Sequence, residues 1–400
     1  MRKRDEGGPH DAYFLGLSSA LERAGLARPT LVIDQARLEA NIKAVKAALP
    51  ARQHLRVVVK SLPCASLIDA VAEGMGTERF MVFNAPMMAT MAVERPGGDY
   101  LMGKPLAVAE AKGFYRDLHR NAFDPARQLQ WLIDSPERLD QYAALASANG
   151  APMRVNLEID IGLHRGGFTG PEGFKTALDR IKASPNLTLS GLMGYDPHLS
   201  HVAAGEARAK ALGRSQKTYQ AFIDQVREAD FALEGMTLNT AGSPTFHMHR
   251  DNPYATEVSV GSAFVKPVDF DTDTLTDHVP AAFIATPVIK ALPETLLPTA
   301  EQLAGLLRFM DPNTSRAFFI HGGHWLATPV SPPGLEYSSL FGRSSNQELL
   351  TGSNRVALQA DDYIFLRPNQ SEAVLLQFGD IALYDGREIT ERWPVFSPSA

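Results

Sequence analysis

The chain has 400 residues, of which 44% are hydrophobic and 21% charged, a composition typical of a globular protein with room for one large domain and a smaller one. Its net charge of -6 argues against nucleic acid or an anionic membrane as the main partner. The single cysteine, Cys64, excludes an intrachain disulfide, the first ten residues lack the apolar stretch of a signal peptide, and no apolar run is long enough to span a membrane. We therefore expect a cytoplasmic protein.

The first elements are a helix and a short strand. Apolar residues at helical spacing predict a helix over 12–26, which Gly25 helps to close. A strand is predicted at 30–33, and Asp34 stands where the N-cap of the next helix belongs. Residues 1–28 are therefore interpreted as an N-terminal tail and helix.

From residue 55 onward, apolar strands alternate with amphipathic helices. Strands are predicted at 56–60, 80–83, 99–102, 129–133, 154–161, 188–195, 236–240 and 257–260. Helices are predicted at 66–72, 86–94, 107–121, 136–148, 171–183 and 205–228. This order is that of a (β/α)8 barrel, and the missing Gly-rich dinucleotide fingerprint argues against a doubly wound sheet. We predict a barrel domain over 29–271.

After about residue 271, short β-like runs separated by turns replace the helical pattern. They lie at 283–289, 317–320, 355–358, 363–366, 374–378 and 381–384. Asp385-Gly386 lies between two such runs and predicts a hairpin. The pattern indicates a mostly-β second domain over 272–400.

Lys60 ends the first barrel strand, after three consecutive valines that suit a strand buried on both faces. Barrel enzymes hold their reactive groups at the carboxyl ends of the strands. A lysine in partly apolar surroundings there loses hydration of its ammonium form, and this favours the free amine that makes Schiff bases. On this segment alone, a solvated lysine at a strand end is the alternative. We interpret Lys60 as the catalytic centre because several later strands also end in residues that suit a binding site.

Two of these strands end in an arginine and a tyrosine. Arg165 is flanked by glycines after the fifth predicted strand, where its guanidinium could hold a cofactor oxygen or a carboxylate. Tyr195 ends the sixth, and the glycines before it predict close backbone approach inside the barrel. A surface arginine and a core tyrosine are the alternative interpretations.

The last two predicted strands end in turns that suit a phosphate. Gly242, Ser243 and Thr245 form a turn with hydroxyls and free backbone N–H groups. Gly261 and Ser262 come after the last strand, where barrels of this kind frequently bind phosphate. A lysine after the first strand and two phosphate-type turns after the last two strands point to pyridoxal phosphate.

The sequence resembles the fold-type III pyridoxal-phosphate enzymes, the alanine racemase barrel, and within them the group with D-threonine aldolase, D-serine dehydratase and D-3-hydroxyaspartate aldolase. The matching motifs span nearly the whole chain in the family's order. They are PTLVID at 29–34, VK at 59–60, EIDIG at 158–162 with Arg165, GLMGY at 191–195, GSPT at 242–245, and GD at 379–380 leading to RWPV at 392–395.

The resemblance implies a pyridoxal-phosphate-binding (β/α)8 barrel with a C-terminal, mostly-β domain that the strand near 30–33 joins. It also implies a head-to-tail homodimer with shared active sites. Lys60 would form the internal aldimine, Arg165 would contact the cofactor near its phenolic oxygen, and Tyr195 would line it. The phosphate would be held by Gly242, Ser243, Thr245, Gly261 and Ser262.

The sequence departs from this group at its divalent metal. Dehydratases and D-threonine aldolases of the group carry a His-x-Cys or His-x-Asp pair shortly before the Gly-Asp stretch, whereas this chain has Gln370 and Glu372 there. Glu372 is a candidate ligand for a hard cation, but a site without imidazole or thiolate suits zinc poorly, so a metal stays an open question. Four histidines in two pairs are candidates for metal binding or acid/base chemistry: His247 with His249, and His321 with His324. Such pairs are more often structural than functional.

We expect a pyridoxal-phosphate-dependent lyase that cleaves the Cα–Cβ bond of a β-hydroxy D-amino acid, as a D-threonine aldolase does. One alternative is an amino-acid racemase, whose second base would be a tyrosine of the second domain, with Tyr337, Tyr363 and Tyr384 as candidates. Others are a β-elimination like that of D-serine dehydratase and a pyridoxal-phosphate homeostasis protein without turnover, which would resemble a lone barrel. A plain barrel hydrolase stays possible only if Lys60 carries no cofactor.

Overall fold

The structure, a computed structural model, describes residues 2–118, 123–339 and 341–398. The chain divides into two units: a β unit of residues 1–41, 265–271 and 279–395, and a barrel unit of residues 42–264, 272–278 and 396–400. The boundaries predicted at residues 28 and 271 differ from this division. The early strand pairs with C-terminal strands, as the resemblance implied, whereas a short segment after residue 271 belongs to the barrel unit.

The chain begins with two helices and a strand. Helix α1 (Ala12–Arg23) is capped by Asp11, whose carboxylate accepts the N–H of Phe14. Strand β1 (Thr30–Asp34) is buried along its whole length. The Asp34 carboxylate accepts the N–H of Arg37 at 2.9 Å and so caps helix α2 (Gln35–Ala48), as the sequence predicted.

Eight parallel strands close into a barrel, in which each strand pairs with the next and the last pairs with the first. The strands are β2 (His54–Val58), β3 (Arg79–Val82), β4 (Asp99–Met102), β5 (Leu129–Ile133), β6 (Met153–Glu158), β7 (Leu187–Gly194), β8 (Thr237–Thr240) and β9 (Glu257–Val260). The helices between them are α3 (Ala65–Met75), α4 (Ala85–Glu94), α5 (Val108–Asp117), α6 (Pro125–Gln128), α7 (Pro136–Asn149), α8 (Pro171–Ala183) and α9 (Glu206–Glu228). The predicted barrel is thus confirmed.

Helix lengths agree with the sequence pattern in most places. The helix predicted over 107–121 ends at Asp117, and residues 119–122 lie outside the described residues. None of the helices in the described ranges combines the length and apolar character that a membrane crossing requires.

A charged network fills part of the barrel interior near the amino-terminal ends of β4 and β9. Arg56 and Glu257 are both fully buried, and the guanidinium donates to the carboxylate at 2.5 and 2.9 Å. Arg56 also donates to Asp99 at 2.8 Å, and Asn239 donates to Glu257 at 2.8 Å. Because a buried charge is costly without a partner, each of these groups depends on the others.

The β unit contains a nine-stranded sheet. Its remaining elements are β10 (Ala282–Leu292), α10 (Ala304–Met310), β11 (Arg316–His321), β12 (Ala327–Ser331), β13 (Glu336–Tyr337), β14 (Gln347–Gly352), β15 (Tyr363–Pro368), β16 (Asp380–Tyr384) and β17 (Ile389–Pro394). The order is β13-β14-β11-β10-β1-β16-β17, with β15 paired to β10 and β12. Strand β1 pairs antiparallel with β10 and parallel with β16. Helix α1 packs Phe14 and Leu17 against Phe283 and Phe365 of this sheet.

Two of the predicted β runs are wrong. Residues 355–358 form no strand, and residues 374–378 contain a 3-10 turn at Leu375–Gln377. A short apolar run does not reveal by its periodicity whether it is a strand or a turn of helix. The hairpin at Asp385-Gly386 is confirmed, since β16 and β17 pair antiparallel across it.

Candidate active site

Lys60 lies just beyond the carboxyl end of β2, in a 3-10 turn over Val59–Ser61. Its Nζ lies 4.7 Å from the centroid of the Phe83 ring, and Phe83 directly follows β3. Gly103, which comes directly after β4, leaves space for this ring, because a Cβ there would lie 2.4 Å from Phe83 Cε1. The ends of three neighbouring strands therefore define the surroundings of the half-buried lysine.

Three of the predicted site residues stack on one another. The Arg165 guanidinium carbon lies 4.8 Å from the centroid of the Tyr195 ring. The ring packs on Gly242, where a Cβ would lie 2.5 Å from Tyr195 Cε2. The loops after β6, β7 and β8 meet in this stack, with Arg165 exposed and Tyr195 half-buried.

The turn after β8 is joined to the turn after β9 by Ser243. The Ser243 hydroxyl accepts the N–H groups of Gly261 and Ala263, each at 3.1 Å. The turn starts at Ala241, whose φ of 66° is left-handed, a conformation that costs an L-residue energy. Its hydrogen bonds, including those from the N–H groups of Thr245 and Phe246 to the Gly242 carbonyl, hold it in this shape.

The first and last barrel strands also meet at this end. The Ser262 hydroxyl donates to the Ser61 hydroxyl at 3.1 Å. Gly261 packs closely on Ser61, since a Cβ at position 261 would lie 2.8 Å from both Ser61 Cβ and Oγ. Sequence reasoning did not select Ser61, and its position directly after Lys60 is the signal that could have identified it.

These groups fit the cofactor that the lysine and the turns indicate. The hydroxyls of Ser61, Ser243 and Ser262 are buried, and hydroxyls and backbone N–H groups are suitable donors to phosphate oxygens. Gly242 leaves room that a side chain would fill. Thr240 Oγ1 is buried and finds no hydrogen-bond partner among the described residues, and such a group requires an explanation.

A buried network that sequence reasoning missed lies beside the stack. Asp196 has no exposed surface and accepts hydrogen bonds from Thr245 Oγ1 at 2.8 Å and from His249 Nε2 at 2.7 Å. Thr245 Oγ1 in turn accepts the N–H of Gly242 at 3.1 Å. His249 Nδ1 pairs with Asn252 Nδ2 at 3.0 Å. Asp196 stood in a selected stretch next to Tyr195, but nothing in its spacing indicated these partners.

The loop that carries Arg165 is ordered by acidic side chains. Burial acts to raise the pKa of Asp160. The N–H groups of His164 and Gly162, which donate to its carboxylate, nevertheless hold that pKa below its usual value. Glu158 ends β6, and burial raises its pKa, an effect that the nearby charge of Arg165 partly opposes.

The remaining histidine candidates are divided between the two units of the chain. His247 belongs to the barrel unit, where burial lowers its pKa, and its Nδ1 has no hydrogen-bond partner in the described part of the chain. His321 ends β11, and His324 lies three residues later in a left-handed conformation. Both of these belong to the β unit.

The residues in place of the expected metal pair make other contacts. Gln370 Nε2 donates to Asp269 at 2.9 Å, and the Glu372 carboxylate accepts a hydrogen bond from Ser371 at 3.2 Å. Over the described residues, no three His, Cys, Asp or Glu side chains are grouped as a metal site requires. The donor set here therefore does not fit the metal that the resemblance implies.

The tyrosines considered as a second base all belong to the β unit, and the buried Tyr337 hydroxyl has no hydrogen-bond partner among the described residues. Burial raises the pKa of Tyr337 to about 12. Tyr363 donates to the Leu26 carbonyl at 2.9 Å, and Tyr384 belongs to the core beneath α1.

The closed barrel and the separate β sheet define the class of alanine racemase-like, pyridoxal-phosphate-dependent enzymes. Residues 33–267 match the family model for the alanine racemase N-terminal domain. Since this is more than half of the chain, the protein belongs to that family.

The similar proteins whose names state an activity share less than 30% sequence identity with this chain. The chain is 27% identical over 143 residues to 3-hydroxy-D-aspartate aldolase of Paracoccus denitrificans, covering 34% of this chain and 35% of that protein. It is 26% identical over 244 residues to alanine racemase of Limosilactobacillus fermentum, covering 60% of each. The match thus spans less than two thirds of these relatives. The structure of D-threonine aldolase from Filomicrobium marinum superposes with a TM-score of 0.73 at 17% identity, over 92% of this chain and 97% of that one, which shows a shared fold.

Proposed function

We propose that this protein is a pyridoxal-phosphate-dependent lyase that cleaves the Cα–Cβ bond of a β-hydroxy D-amino acid. The observation that carries the proposal is the continuous contact from Lys60 and Ser61, through Ser262 and Gly261, to Ser243 at the carboxyl ends of β2, β9 and β8. The printed activities of the aldolase relative and of the aldolase structure support the choice of reaction.

Each of the residues at the site has its own role in binding the cofactor. Lys60 would provide the amine to which the cofactor attaches, the buried serines of the two turns would hold its phosphate, and Tyr195 would line its ring. Arg165, whose guanidinium lies over the Tyr195 ring, would contact the cofactor near the cofactor's phenolic oxygen. When bound, the cofactor supplies an electron sink for the bond broken at the α carbon. A base would take the proton of the substrate's β-hydroxyl, the Cα–Cβ bond would break with its electron pair left at Cα, and an aldehyde would leave; a proton returned to Cα would then give glycine or a related amino acid as the second product.

The test is an absorbance spectrum of the purified protein with added pyridoxal phosphate, before and after borohydride. We expect a visible band that reduction abolishes and that Lys60→Ala lacks. Lys104→Ala is the matched control, because Lys104 is an exposed lysine just beyond the end of β4. A wild-type protein that gains no band, or a band that Lys60→Ala keeps, would overturn the proposal.

Activity assays then separate the candidate reactions. D-β-hydroxy amino acids are offered with and without EDTA, and aldehyde release identifies the aldolase, whereas an oxo acid with ammonia identifies β-elimination. An amino-acid racemase is the second candidate, because the match to alanine racemase spans more of the chain than the match to the aldolase. A racemase would bring the optical rotation of a single enantiomer to zero without releasing aldehyde.

Assembly and location are part of the same proposal. A head-to-tail homodimer is proposed because the resemblance implies shared active sites, and sedimentation analysis of the full chain tests it. A cytoplasmic location is proposed from the single cysteine.

A further inference from the structure

The buried network around Asp196 joins the loop after β7 to the turn after β8. We propose that Asp196 is a positioning residue that acts through Thr245 to hold the Gly242–Thr245 turn in its phosphate-binding shape, and that His249 orients Asp196 for this role. This inference rests on the proposed function, because it assigns the network to the binding of pyridoxal phosphate. It gives Thr245 and His249 roles other than direct contact with the ligand.

The first step concerns the single hydroxyl hydrogen of Thr245. Thr245 Oγ1 donates to Asp196 Oδ1 at 2.8 Å and accepts the N–H of Gly242 at 3.1 Å. A hydroxyl has one hydrogen to donate, and here Asp196 receives it. Thr245 is fully buried, so its side chain holds the first and last residues of the turn together instead of donating to a phosphate.

The second step fixes the tautomer of His249. Asn252 Oδ1 accepts the N–H groups of Tyr254 and Ala255, each at 3.1 Å, which sets the orientation of its amide. Asn252 Nδ2 therefore faces His249 Nδ1 and donates to it, so that Nδ1 is an acceptor. The remaining ring N–H, on Nε2, points to Asp196 Oδ2 at 2.7 Å.

His249 is thus fully engaged within this network. Both ring nitrogens have partners, the side chain is 1% exposed, and the His249 carbonyl accepts a hydrogen bond from Gln53 at 2.7 Å. With both nitrogens in use, this histidine serves as an anchor and not as a metal ligand or as an acid/base group.

The third step connects the network to the site. Asp196 directly follows Tyr195, whose ring packs on Gly242, the same residue whose N–H is bound by Thr245. The Asp196 carboxylate therefore positions the turn through Thr245. Tyr195, the residue before Asp196, packs its ring against the same turn. Loss of the Thr245 hydroxyl should let the turn relax while the barrel stays folded.

Thr245→Val tests the inference because it removes the hydroxyl and keeps the shape of the side chain. Thr245→Ser keeps the hydroxyl and should recover most of the lost function. Thr237→Val is the matched control. Thr237 lies on β8, is buried like Thr245, and its hydroxyl likewise accepts a hydrogen bond, from Gln130 at 2.9 Å. Asp196→Asn, of equal size, is a second variant that tests the same link.

The readout is the Kd for pyridoxal phosphate compared with that for pyridoxal, both measured by absorbance titration of the apoenzyme, together with the Tm of each variant. We expect Thr245→Val and Asp196→Asn to bind pyridoxal phosphate at least tenfold more weakly and pyridoxal about as well as the wild type, because only the phosphate contact is lost. Thr237→Val should lower the Tm without this selective effect.

The outcomes separate the two proposals. If the wild type gains no band with pyridoxal phosphate, the proposed function fails and this inference fails with it. If the wild type binds the cofactor but Thr245→Val keeps its affinity, only the inference is overturned. Equal weakening by Thr237→Val, or equal loss for pyridoxal and pyridoxal phosphate, would also overturn it, since general destabilisation would then explain the result.

Discussion

Gly242 is the position where one added methyl group should disturb the proposed site most directly. A Cβ there would lie 2.5 Å from Tyr195 Cε2 and 3.2 Å from the Tyr195 hydroxyl oxygen. Carbon atoms in contact normally lie about 3.5 to 4.0 Å apart. The Gly242→Ala variant must therefore displace the Tyr195 ring, or the turn itself, by about 1 Å relative to the normal contact distance.

The size of this displacement sets the expected effect. A misplacement of about 1 Å at a site that orients reacting groups costs roughly 100-fold in rate. This corresponds to about 2.7 kcal/mol of lost transition-state stabilisation, at about 1.36 kcal/mol for each factor of ten. Because Tyr195 is half-buried, the ring can move toward solvent, so the barrel itself should remain folded.

The assay is kcat/KM for the best D-β-hydroxy amino acid, with the Kd for pyridoxal phosphate and the Tm measured alongside. Gly213→Ala is the control, because Gly213 lies in α9 and a Cβ there would meet nothing within 4 Å. Alanine should even stabilise that helix, by up to about 1 kcal/mol. Wild-type kcat/KM and cofactor affinity in Gly242→Ala would refute the placement of Tyr195 and the turn in the active site.

Contacts elsewhere in the barrel give three further predictions. Gly103→Ala places a methyl group 2.4 Å from the Phe83 ring; kcat/KM should fall by about tenfold, and Phe83→Leu added to it should restore part of the loss, whereas a double variant no better than the single one would contradict this. Arg56→Met leaves the fully buried Glu257 without its main partner and should cost about 3 to 5 kcal/mol in urea unfolding; a loss under about 1 kcal/mol would refute the argument. Burial raises the pKa of Glu158 above its ordinary 4.5, so its contribution to stability is present below that value and is lost as the pH rises through the higher folded pKa. Glu158→Gln should therefore gain stability over the wild type near pH 7 but not near pH 4, and equal gains at both pH values would count against it.

Periodicity was sufficient to predict the barrel, because its strands are buried on both faces and most are followed by an amphipathic helix. The strands at Asp99–Met102 and Glu257–Val260 have the predicted bounds. The first strand has the predicted length but lies two residues earlier, at His54–Val58, since the chain turns at Val59 and places Lys60 in a 3-10 turn. The β unit was harder to predict, because its sheet order depends on pairings between distant segments such as β1 and β16.

The roles of individual side chains depend on which loops meet, and spacing along the chain does not reveal this. His249 could be selected as a histidine in a loop after a barrel strand, but its partners Asp196 and Asn252 fix both ring nitrogens. Phe83 gave no signal at all, because an aromatic residue after a strand is normally part of a core. In the structure the Phe83 ring lies next to Lys60, in space that the absence of a side chain at Gly103 leaves open.

Two buried polar networks in the barrel use similar residue types, and their surroundings distinguish structural from functional roles. Around Arg56 and Glu257, opposite charges meet inside the barrel, and both side chains are fully buried. Around Asp196, the hydrogen bonds end on Gly242, a residue that leaves room against Tyr195 at the carboxyl ends of the strands. We therefore expect the network around Asp196 to act on the proposed phosphate site and the network around Arg56 to act on the stability of the fold. Substitutions in the first network should therefore change the free energy of unfolding, and substitutions in the second should change cofactor affinity.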